Sequence, residues 1–284
     1  MLEPGLYLVA TPIGNLEDIT LRALRILKSV DRIACEDTRQ TQKLLNHFGI
    51  STPSVSYHQH NEHERTAELM GHLAQGGSIA LVSDAGTPAF SDPGLELVRA
   101  ALTLGVKVIP IPGANAAISA LVASGLETDH FVYVGFLASR PGQRRTELES
   151  LAARAPSQAL VLYEAPHRIL DTLADVEGVW GSAVHVVVAR ELTKVHEEFL
   201  RGTVSEVRAE LSRREVVKGE IVLLIAASAP AQAANGRVSI LEQIAHLKQA
   251  EGLEEKDALK RVARERGVSK SDAYRELQRE RSRK

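Results

Sequence analysis

Polar, glycine-containing turns follow several apolar, strand-like runs of the sequence. The clearest is SDAGTP (83–88), which comes directly after the run SIALV (78–82). Glycine has no Cβ, so Gly86 lets the backbone approach a ligand closely, and Asp84 places a carboxylate at the carboxyl end of its strand. That carboxylate can accept hydrogen bonds from hydroxyl or amine groups, or face a cation. The alternative is an ordinary strand-to-helix turn in which Asp92 caps the next helix.

Three further turns that contain glycine occur at strand ends along the chain. They are TPIGN (11–15), IPGANAA (111–117) and KGE (218–220). One such turn is a common loop, but several turns that meet at one sheet edge would form a cofactor cleft. The sequence has no GxGxxG that opens a helix after the first strand, and no GxxxxGK followed by Ser or Thr. It therefore carries neither a dinucleotide-binding Rossmann fingerprint nor a P-loop.

Charged side chains follow the second strand-like run, in CEDTR (35–39). Glu36 and Asp37, next to Arg39, either form a structural ion network or position a substrate beside the same cleft. Both interpretations stay open at this stage. Cys35 ends an apolar run, which is more typical of a core position than of a nucleophile.

Three polar segments near strand ends contain histidines. The segment YHQHNEHER (57–65) spans a strand-to-helix junction and lacks the ligand spacing of known metal sites, so we expect no metal there. His167 in EAPHR and His196 in KVHEE each lie near opposite charges after a strand. Each is either a functional group or an ordinary capping or surface histidine.

Basic residues are concentrated in two places. The loop ASRPGQRR (138–145) holds Arg140, Arg144 and Arg145, which suit phosphate contact but also suit a solvated loop. Residues 237–284 hold 13 Lys and Arg against 9 Asp and Glu, in a chain whose net charge is −2. This distribution favours a polyanionic partner of the C-terminal segment, although a solvated helical face has a similar pattern.

The spacing of apolar residues predicts strands that alternate with helices. The first series of strands is predicted at 6–10, 32–37, 54–59, 78–82 and 106–112. Five strands alternating with helices imply a largely parallel sheet that helices cover on both faces. The second series is predicted at 130–136, 157–164, 183–190, 197–203 and 219–227. The gap between the third and fourth strands of this series is too short for a crossover helix, so these two should be antiparallel.

These elements predict an N-terminal α/β domain at 1–125, a second α/β domain at 126–228 and a basic helical extension at 238–284. Helices are expected, among others, at 92–104, at 144–154, from Pro166, and at 239–251, 254–266 and 270–281. Residues 228–238 have the composition of a linker.

The composition restricts the class of protein. At 284 residues, with 44% hydrophobic and 25% charged residues, the chain is typical of a soluble globular protein. A single cysteine excludes a disulfide within the chain, which fits a reducing compartment. The N-terminal segment has no basic region before an apolar run, and the run is too short for a signal sequence or a membrane span. We expect a cytoplasmic protein without a membrane anchor.

Several motifs together resemble one known family in their order and spacing. These motifs are ATPIGNLED, ACEDTR, SDAGTPAFSDPG, IPGANAAISAL, VGFL, YEAPHR, KVHEE and KGEIVLL. Between residue 5 and about residue 227 the chain resembles the ribosomal RNA small subunit methyltransferase I family. The resemblance implies two α/β domains of the tetrapyrrole methylase type, S-adenosylmethionine as the methyl donor and a homodimer. It also implies 2′-O-methylation of a cytidine ribose in the decoding region of 16S rRNA, within the small ribosomal subunit.

The resemblance also implies site residues. Cofactor-binding positions carry over onto Pro12, Gly14, Asp84, Ala85, Gly86, Ala114, Ala116, Tyr163 and Gly219. Tetrapyrrole methylases tend to have a Gly-Asp-Pro turn where this chain has SDAGTP. The candidates for the catalytic base, or for residues that orient it, are Glu36, Asp37, Arg39, Lys194 and His196.

Two other functions are compatible with the sequence. The first is a methyltransferase for a tetrapyrrole or another small molecule, against which the basic C-terminal helices and the arginine-containing loop favour RNA. The second is a non-catalytic RNA-binding assembly factor, which would not bind S-adenosylmethionine.

Overall fold

The computed structural model describes residues 2–155, 157–226, 240–251, 253–265 and 270–281. The chain divides into two compact units, Met1–Pro230 and Ala231–Lys284. The predicted linker at 228–238 lies outside the described residues. Among the described residues, no helix has both the length and the apolar character that a transmembrane span requires.

The first unit begins with a five-stranded parallel sheet. Its strands are β1 (Gly5–Val9), β2 (Arg32–Cys35), β3 (Ser54–Ser56), β4 (Ser78–Val82) and β5 (Val108–Ile111), in the order β3-β2-β4-β1-β5. The four strand pairs that form it are all parallel, which confirms the predicted arrangement. The helices that connect and follow these strands are α1 (Leu21–Leu27), α2 (Thr38–His47), α3 (Glu62–Ala74), α4 (Leu95–Thr103) and α5 (Ala116–Ser124).

Helices cover both faces of this sheet, and alternate strand residues pack into different clusters. Tyr7 and Val9 pack into a cluster that includes apolar residues of α1 and α2. Leu6 packs into another, which includes Leu69 of α3 and Leu97 of α4. This alternation follows from the two-residue period of a strand. Each fully buried Leu or Ile contributes about 1.5–3 kcal/mol to folding, so the two clusters hold the strand ends in place.

A second five-stranded sheet follows in the same unit. Its strands are β6 (Phe131–Phe136), β7 (Ala159–Glu164), β8 (His185–Arg190), β9 (Glu198–Thr203) and β10 (Ile221–Ile225), in the order β6-β7-β10-β8-β9. β6 and β7 are parallel, and the other three pairs are antiparallel. The predicted antiparallel pair, β8 with β9, is confirmed. Three helices accompany this sheet: α6 (Pro141–Arg154), α7 (Ile169–Trp180) and α8 (Val204–Ser212).

Three predicted helix starts are wrong by about one turn. The helix expected at 92–104 begins at Leu95, because Gly94 precedes it with a φ of 138° and the turn before it is irregular. Asp92 is therefore not the N-cap of α4. The helix expected at 144–154 begins at Pro141, a residue that the first helical position tolerates well. The helix expected from Pro166 begins at Ile169.

The second unit consists of three helices in its described residues. They are α9 (Ile240–Glu251), α10 (Glu255–Glu265) and α11 (Lys270–Arg281), which confirms the three predicted helical segments. Ile240 of α9, Val262 of α10 and Ala273 of α11 are fully buried in its core.

Candidate active site

The three turns that follow β1, β4 and β5 are joined to one another. These strands are neighbours in the first sheet, so their carboxyl ends lie at the same edge. The Thr11 N–H donates to the Gly86 carbonyl at 2.9 Å, and the Gly86 N–H donates to the Thr11 carbonyl at 3.0 Å. The Thr87 hydroxyl donates to the Ala114 carbonyl at 3.3 Å. The turns therefore converge on one place, as the sequence led us to expect.

Gly86 has the backbone conformation and the close surroundings that favour glycine. Its φ is 82°, in the left-handed region. A Cβ built on it would lie 3.2 Å from the Ile13 Cγ2 atom and 3.6 Å from the Ala114 carbonyl oxygen. A larger residue would therefore strain the turn and fill the space beside it.

A first cavity lies between this edge and the second sheet. It has a volume of about 380 Å³, within the range of about 300–1,000 Å³ that is usual for small-molecule sites. Five of the nine predicted cofactor-binding residues line it: Ala85, Gly86, Ala116, Tyr163 and Gly219. The first three come from the turns of the first sheet, and the other two come from the ends of β7 and β10. The second sheet thus completes a site that the first sheet begins.

A second cavity of about 460 Å³ adjoins the first. Ile13, Ala85 and Glu220 line both cavities. Four predicted cofactor-binding residues line the second cavity, together with the predicted catalytic residue Lys194: Pro12, Gly14, Asp84 and Ala85. Residues of α2 form part of its wall: Gln40, Thr41, Lys43 and Leu44.

Other predicted site residues line neither cavity. Ala114 contributes its backbone carbonyl to the Thr87 hydrogen bond instead. Glu36, Asp37 and Arg39 are not part of either wall. The Asp37 backbone N–H is hydrogen-bonded to Asp84, which lines the second cavity.

Tyr163 belongs to an aromatic group that the sequence analysis did not identify. Phe90 stacks on Tyr133 with ring centroids 4.0 Å apart, and both Tyr133 and Phe136 approach the Tyr163 ring at 5.5 Å. Phe90, Phe136 and Tyr163 line the first cavity. These rings give the cavity a wall against which a planar ligand group can pack. The sequence feature that could have indicated this aromatic group is Phe90, an aromatic residue within the SDAGTPAFSDPG turn.

Asp84 connects the second cavity to the start of α2. Its Oδ1 atom accepts a hydrogen bond from the Asp37 backbone N–H at 3.0 Å. The Asp37 carboxylate caps α2 and accepts from the Arg39 backbone N–H at 2.8 Å, from Nε at 3.1 Å and from Nη2 at 2.9 Å. The side-chain bonds from Arg39 lower the pKa of Asp37 to about 2, so this carboxylate is a weak proton acceptor.

Two other carboxyl groups have raised pKa values. Burial, with the nearby Asp84 carboxylate, raises the pKa of Glu36. Burial, with the Glu36 carboxylate, raises the pKa of Asp92 to about 6. Asp92 is half-buried and lines the first cavity. A buried carboxyl group among other carboxylates in a cavity is typical of proton-transfer sites. From the sequence, Asp92 was expected only as a possible helix cap. Its position between Gly86 and Gly94 was the signal that could have indicated a site residue.

Lys194 forms an ion-paired bridge at the boundary of the two cavities. Its Nζ donates to Glu191 Oε1 at 2.8 Å and to Glu220 Oε2 at 3.1 Å. Burial opposes its charge, but the two carboxylates outweigh this effect and raise the pKa of Lys194. A Cβ on Gly14 would overlap the Lys194 Cγ atom, so the lysine stem packs directly on the first turn. Lys194 is therefore a fixed positive charge and not a proton acceptor.

His196 and His167 are exposed on the surface. Neither lines either of the two cavities. The surface interpretation therefore fits both histidines better than a role at the cavities.

Of the three arginines in the loop 138–145, Arg140 and Arg145 are exposed, whereas Arg144 is not. Arg144 is buried and its Nε donates to Asp175 Oδ2 at 2.6 Å. Arg145 is paired with Glu149 at 3.3 Å. Neither alternative, phosphate contact nor a solvated loop, fits Arg144, because the segment forms the start of α6 and this residue is buried.

Cys35 is fully buried, and burial raises the pKa of its thiol. These properties agree with the predicted core position. Among the described residues, no group of three or more His, Cys, Asp and Glu side chains is arranged to hold a metal ion.

Comparisons with known proteins identify the family. Residues 5–208 match the Tetrapyrrole (Corrin/Porphyrin) Methylases. The chain is 50% identical over 273 residues to a Ribosomal RNA small subunit methyltransferase I from Halalkalibacterium halodurans, covering 95% of this chain and 93% of that protein. It is 48% identical over 269 residues to the protein of the same name from Synechocystis sp., covering 95% of each.

A solved structure has a similar fold. It is the uroporphyrin-III C-methyltransferase from Thermus thermophilus complexed with S-adenosylhomocysteine, which matches with a TM-score of 0.53 at 23% identity and covers 78% of this chain and 96% of that chain. The predicted tetrapyrrole methylase fold is confirmed. With about half of its residues identical to those of full-length relatives, the chain belongs to the ribosomal RNA small subunit methyltransferase I family of tetrapyrrole methylases.

Proposed function

We propose that this protein transfers a methyl group from S-adenosylmethionine to the ribose 2′-oxygen of a cytidine in the decoding region of 16S rRNA. Family membership supports methyl transfer, and the names of the relatives support ribosomal RNA as its substrate. The observation that carries the proposal is the pair of adjoining cavities with Ile13, Ala85 and Glu220 in common. Two reactants held in adjoining cavities can meet at the shared wall.

The first cavity fits the cofactor. The space beside Gly86 is open because this residue has no Cβ. Ala85 and Ala116 also line the first cavity, and their small side chains leave the neighbouring backbone accessible. The aromatic wall, which includes Tyr163, suits a planar base. The Asp92 carboxylate suits a positively charged ligand. When bound, S-adenosylmethionine supplies an electrophilic methyl group on a sulfonium centre.

The second cavity fits the acceptor nucleotide. Its volume of about 460 Å³ is sufficient for a small-molecule-sized group, and Gln40, Thr41 and Lys194 supply polar contacts. Pro12, Gly14 and Asp84, which the resemblance implies as cofactor-binding positions, also line this cavity, and the proposal assigns them to the acceptor. RNA-modifying enzymes commonly take a nucleotide out of its stack and into such a pocket. The Lys194 bridge with Glu191 and Glu220 defines the side of this pocket next to the first cavity.

We assign two catalytic roles to residues of the two cavities, which are positioning of the reactants and acceptance of a proton. Fixing two reactants in a reactive geometry contributes about 7–11 kcal/mol, and we assign this role to the turns at Gly14 and Gly86. A hydroxyl group that attacks a methyl group must lose its proton. Asp92 is our candidate for the group that accepts this proton, with Glu36 as its neighbour. With a pKa of about 6 it is mostly ionised at neutral pH, yet it is a stronger base than an ordinary aspartate.

The other predicted catalytic residues receive different roles in this proposal. Asp37 holds the start of α2 and orients Arg39, and Lys194 supplies fixed charge and shape. His196 receives no role. Alanine at Asp37 or Arg39 should lower the kcat/KM for the RNA substrate more than it lowers cofactor affinity.

Two finer points of the resemblance also belong to the proposal. A homodimer is supported by exposed apolar side chains on α5, Ile118 and Val122. Sedimentation of the purified protein would test it. A cytoplasmic location fits a ribosomal substrate.

The direct test is a transfer assay. Purified protein, labelled S-adenosylmethionine and small ribosomal subunits that lack the modification are incubated, with uroporphyrinogen as the competing small acceptor. We expect label in the RNA, none in the small acceptor, and loss of labelling with Gly86→Val. Labelling of the small acceptor alone would contradict the proposal in favour of a tetrapyrrole methyltransferase. Absence of cofactor binding by calorimetry would support a non-catalytic RNA-binding factor.

A further inference from the structure

The exposed face of α2 carries cationic and amide side chains beside the second cavity. Arg39, Gln42, Lys43 and Asn46 are exposed and line a shallow groove between α2 and β3. This groove has a volume of about 480 Å³. Lys43 lines both the groove and the second cavity, so the two surfaces are continuous.

The charge of this face differs from that of the rest of the first unit. No acidic residue occurs between Asp37 and Glu62, whereas residues 1–236 as a whole carry a net charge of −6. The Asp37 carboxylate accepts from Nε and Nη2 of Arg39 and holds that guanidinium group in one orientation. The Arg39 side chain is nevertheless 87% exposed, so its Nη1 edge remains accessible to a ligand.

The amide side chains add hydrogen-bonding capacity to the same face. The Gln42 side-chain amide donates to Asn46 Oδ1 at 2.8 Å, and the Lys43 ammonium group donates to Gln40 Oε1 at 2.9 Å. Both hydrogen bonds fix the side chains that form them. They leave further donors and acceptors on the amide groups, because an amide group has two N–H donors and two acceptor positions. Fixed guanidinium, ammonium and amide groups in a row suit phosphate and sugar oxygens.

The position of this face is coupled to the second cavity. Asp84, in the wall of that cavity, binds the Asp37 backbone, and Asp37 in turn binds Arg39. A strand that lies on α2 is therefore held at a constant distance from the cavity. This arrangement is what an enzyme needs when one nucleotide of a continuous strand must enter a pocket.

We propose that the α2 face, Arg39, Gln42, Lys43 and Asn46, binds the RNA backbone that flanks the acceptor nucleotide. The inference rests on the proposed function, because it assigns a strand-binding surface to the proposed acceptor cavity. Arg39 and Lys43 contact phosphates, and Gln42 and Asn46 contact sugar or phosphate oxygens. Contacts of this kind position a strand without selecting its sequence.

The test is the double variant Arg39→Gln/Lys43→Gln, measured with deproteinised small-subunit rRNA at several salt concentrations. Each lost phosphate contact lowers the slope of log affinity against log salt by about 0.7, so the slope should fall by about 1.4. Between about 50 and 200 mM salt, the unaltered protein should therefore lose about sevenfold more affinity than the variant. In methyl transfer, the KM for RNA should rise much more than kcat falls.

Two controls separate this result from a general charge effect or a folding defect. Arg99→Gln/Arg154→Gln removes the same charge from exposed helix positions that line neither the cavities nor the groove, and it should keep the slope. Arg39→Lys/Lys43→Arg retains both charges and should keep most of it. An unchanged slope in the α2 variant, or an equal loss in the charge-matched control, would overturn the inference.

Two further outcomes have different meanings. A defect seen with intact subunits but absent with deproteinised RNA would mean that α2 contacts a ribosomal protein, and this also overturns the inference. If the unaltered protein binds RNA with the expected slope but transfers no methyl group, the proposed function fails while the strand-binding surface stands.

Discussion

Replacement of Asp92 by asparagine should stabilise the protein and at the same time impair catalysis. Asp92 is half-buried in the wall of the first cavity, and burial together with the Glu36 carboxylate raises its pKa from 3.8 to about 6. Asparagine has nearly the same shape but no charge. The Asp92→Asn variant therefore removes the cost of an unfavourable buried charge and removes the proposed proton acceptor.

The size and sign of the effect on stability follow from the shifted pKa. A shift of about two units corresponds to at most about 3 kcal/mol, and solvent in the open cavity reduces this to about 1–2 kcal/mol. Because the pKa of Asp92 is higher in the folded state, the native protein binds the proton more tightly than the unfolded chain. The Asp92 contribution to stability therefore falls as pH rises from about 4 to about 6, and it is constant above that range.

The variant should therefore match the unaltered protein at about pH 4 and exceed its free energy of unfolding by about 1–2 kcal/mol above about pH 6. Urea unfolding followed by the fluorescence of Trp180, the only tryptophan of the chain, reports on the first unit. Turnover should fall by about 10²–10⁴-fold. The exposed Asp129→Asn substitution is the matched control and should change neither quantity.

Two results would refute this reasoning. A variant that is less stable than the unaltered protein above about pH 6 would show that the carboxylate makes favourable contacts in the native state. Unchanged turnover would show that Asp92 does not accept the proton, and Glu36 would then be the next candidate.

Other predictions concern the cavity, the second sheet and the C-terminal helices. Gly86→Val should lower the affinity for S-adenosylhomocysteine, measured by calorimetry, at least tenfold, or by about 1.4 kcal/mol or more. The valine side chain would meet Ile13 and would require a strained φ. Unchanged affinity would contradict the placement of the cofactor. Arg144→Ala should destabilise the first unit by about 3–5 kcal/mol in urea unfolding, because it leaves the Asp175 carboxylate without its buried partner. A loss of stability below about 1 kcal/mol would mean that water solvates the Asp175 carboxylate in place of Arg144. Deletion of residues 237–284 should leave cofactor affinity intact and raise the KM for small ribosomal subunits; full RNA affinity with a lower melting temperature would assign these helices a structural role instead.

The alternating strands and helices could be predicted because burial leaves a clear pattern in the sequence. β4 is fully buried, and its residues 79–82 form an uninterrupted apolar run. The short connection after β8 made its antiparallel pairing with β9 predictable. The helix starts were harder to predict. Pro141 begins a helix that the polar sequence around it does not indicate, and Gly94 delays the start of α4.

The candidate site was predictable where it depends on backbone and less so where it depends on tertiary packing. Gly86 could be identified because its turn follows a strand at the expected sheet edge. The raised pKa of Asp92 could not, because it results from burial in the folded protein and from Glu36, which is distant in sequence. The inward position of Arg144 also depends on a distant partner, Asp175, which lies on another helix.

The central claim is that the two cavities bring a methyl donor to a ribose of ribosomal RNA. The most direct measurement is to label small ribosomal subunits with this protein and isotopic S-adenosylmethionine, digest the RNA to nucleosides and identify the labelled product by mass spectrometry. We predict a single labelled nucleoside, 2′-O-methylcytidine, from the decoding region. A methyl group on a base, or on a ribose elsewhere in the RNA, would contradict it.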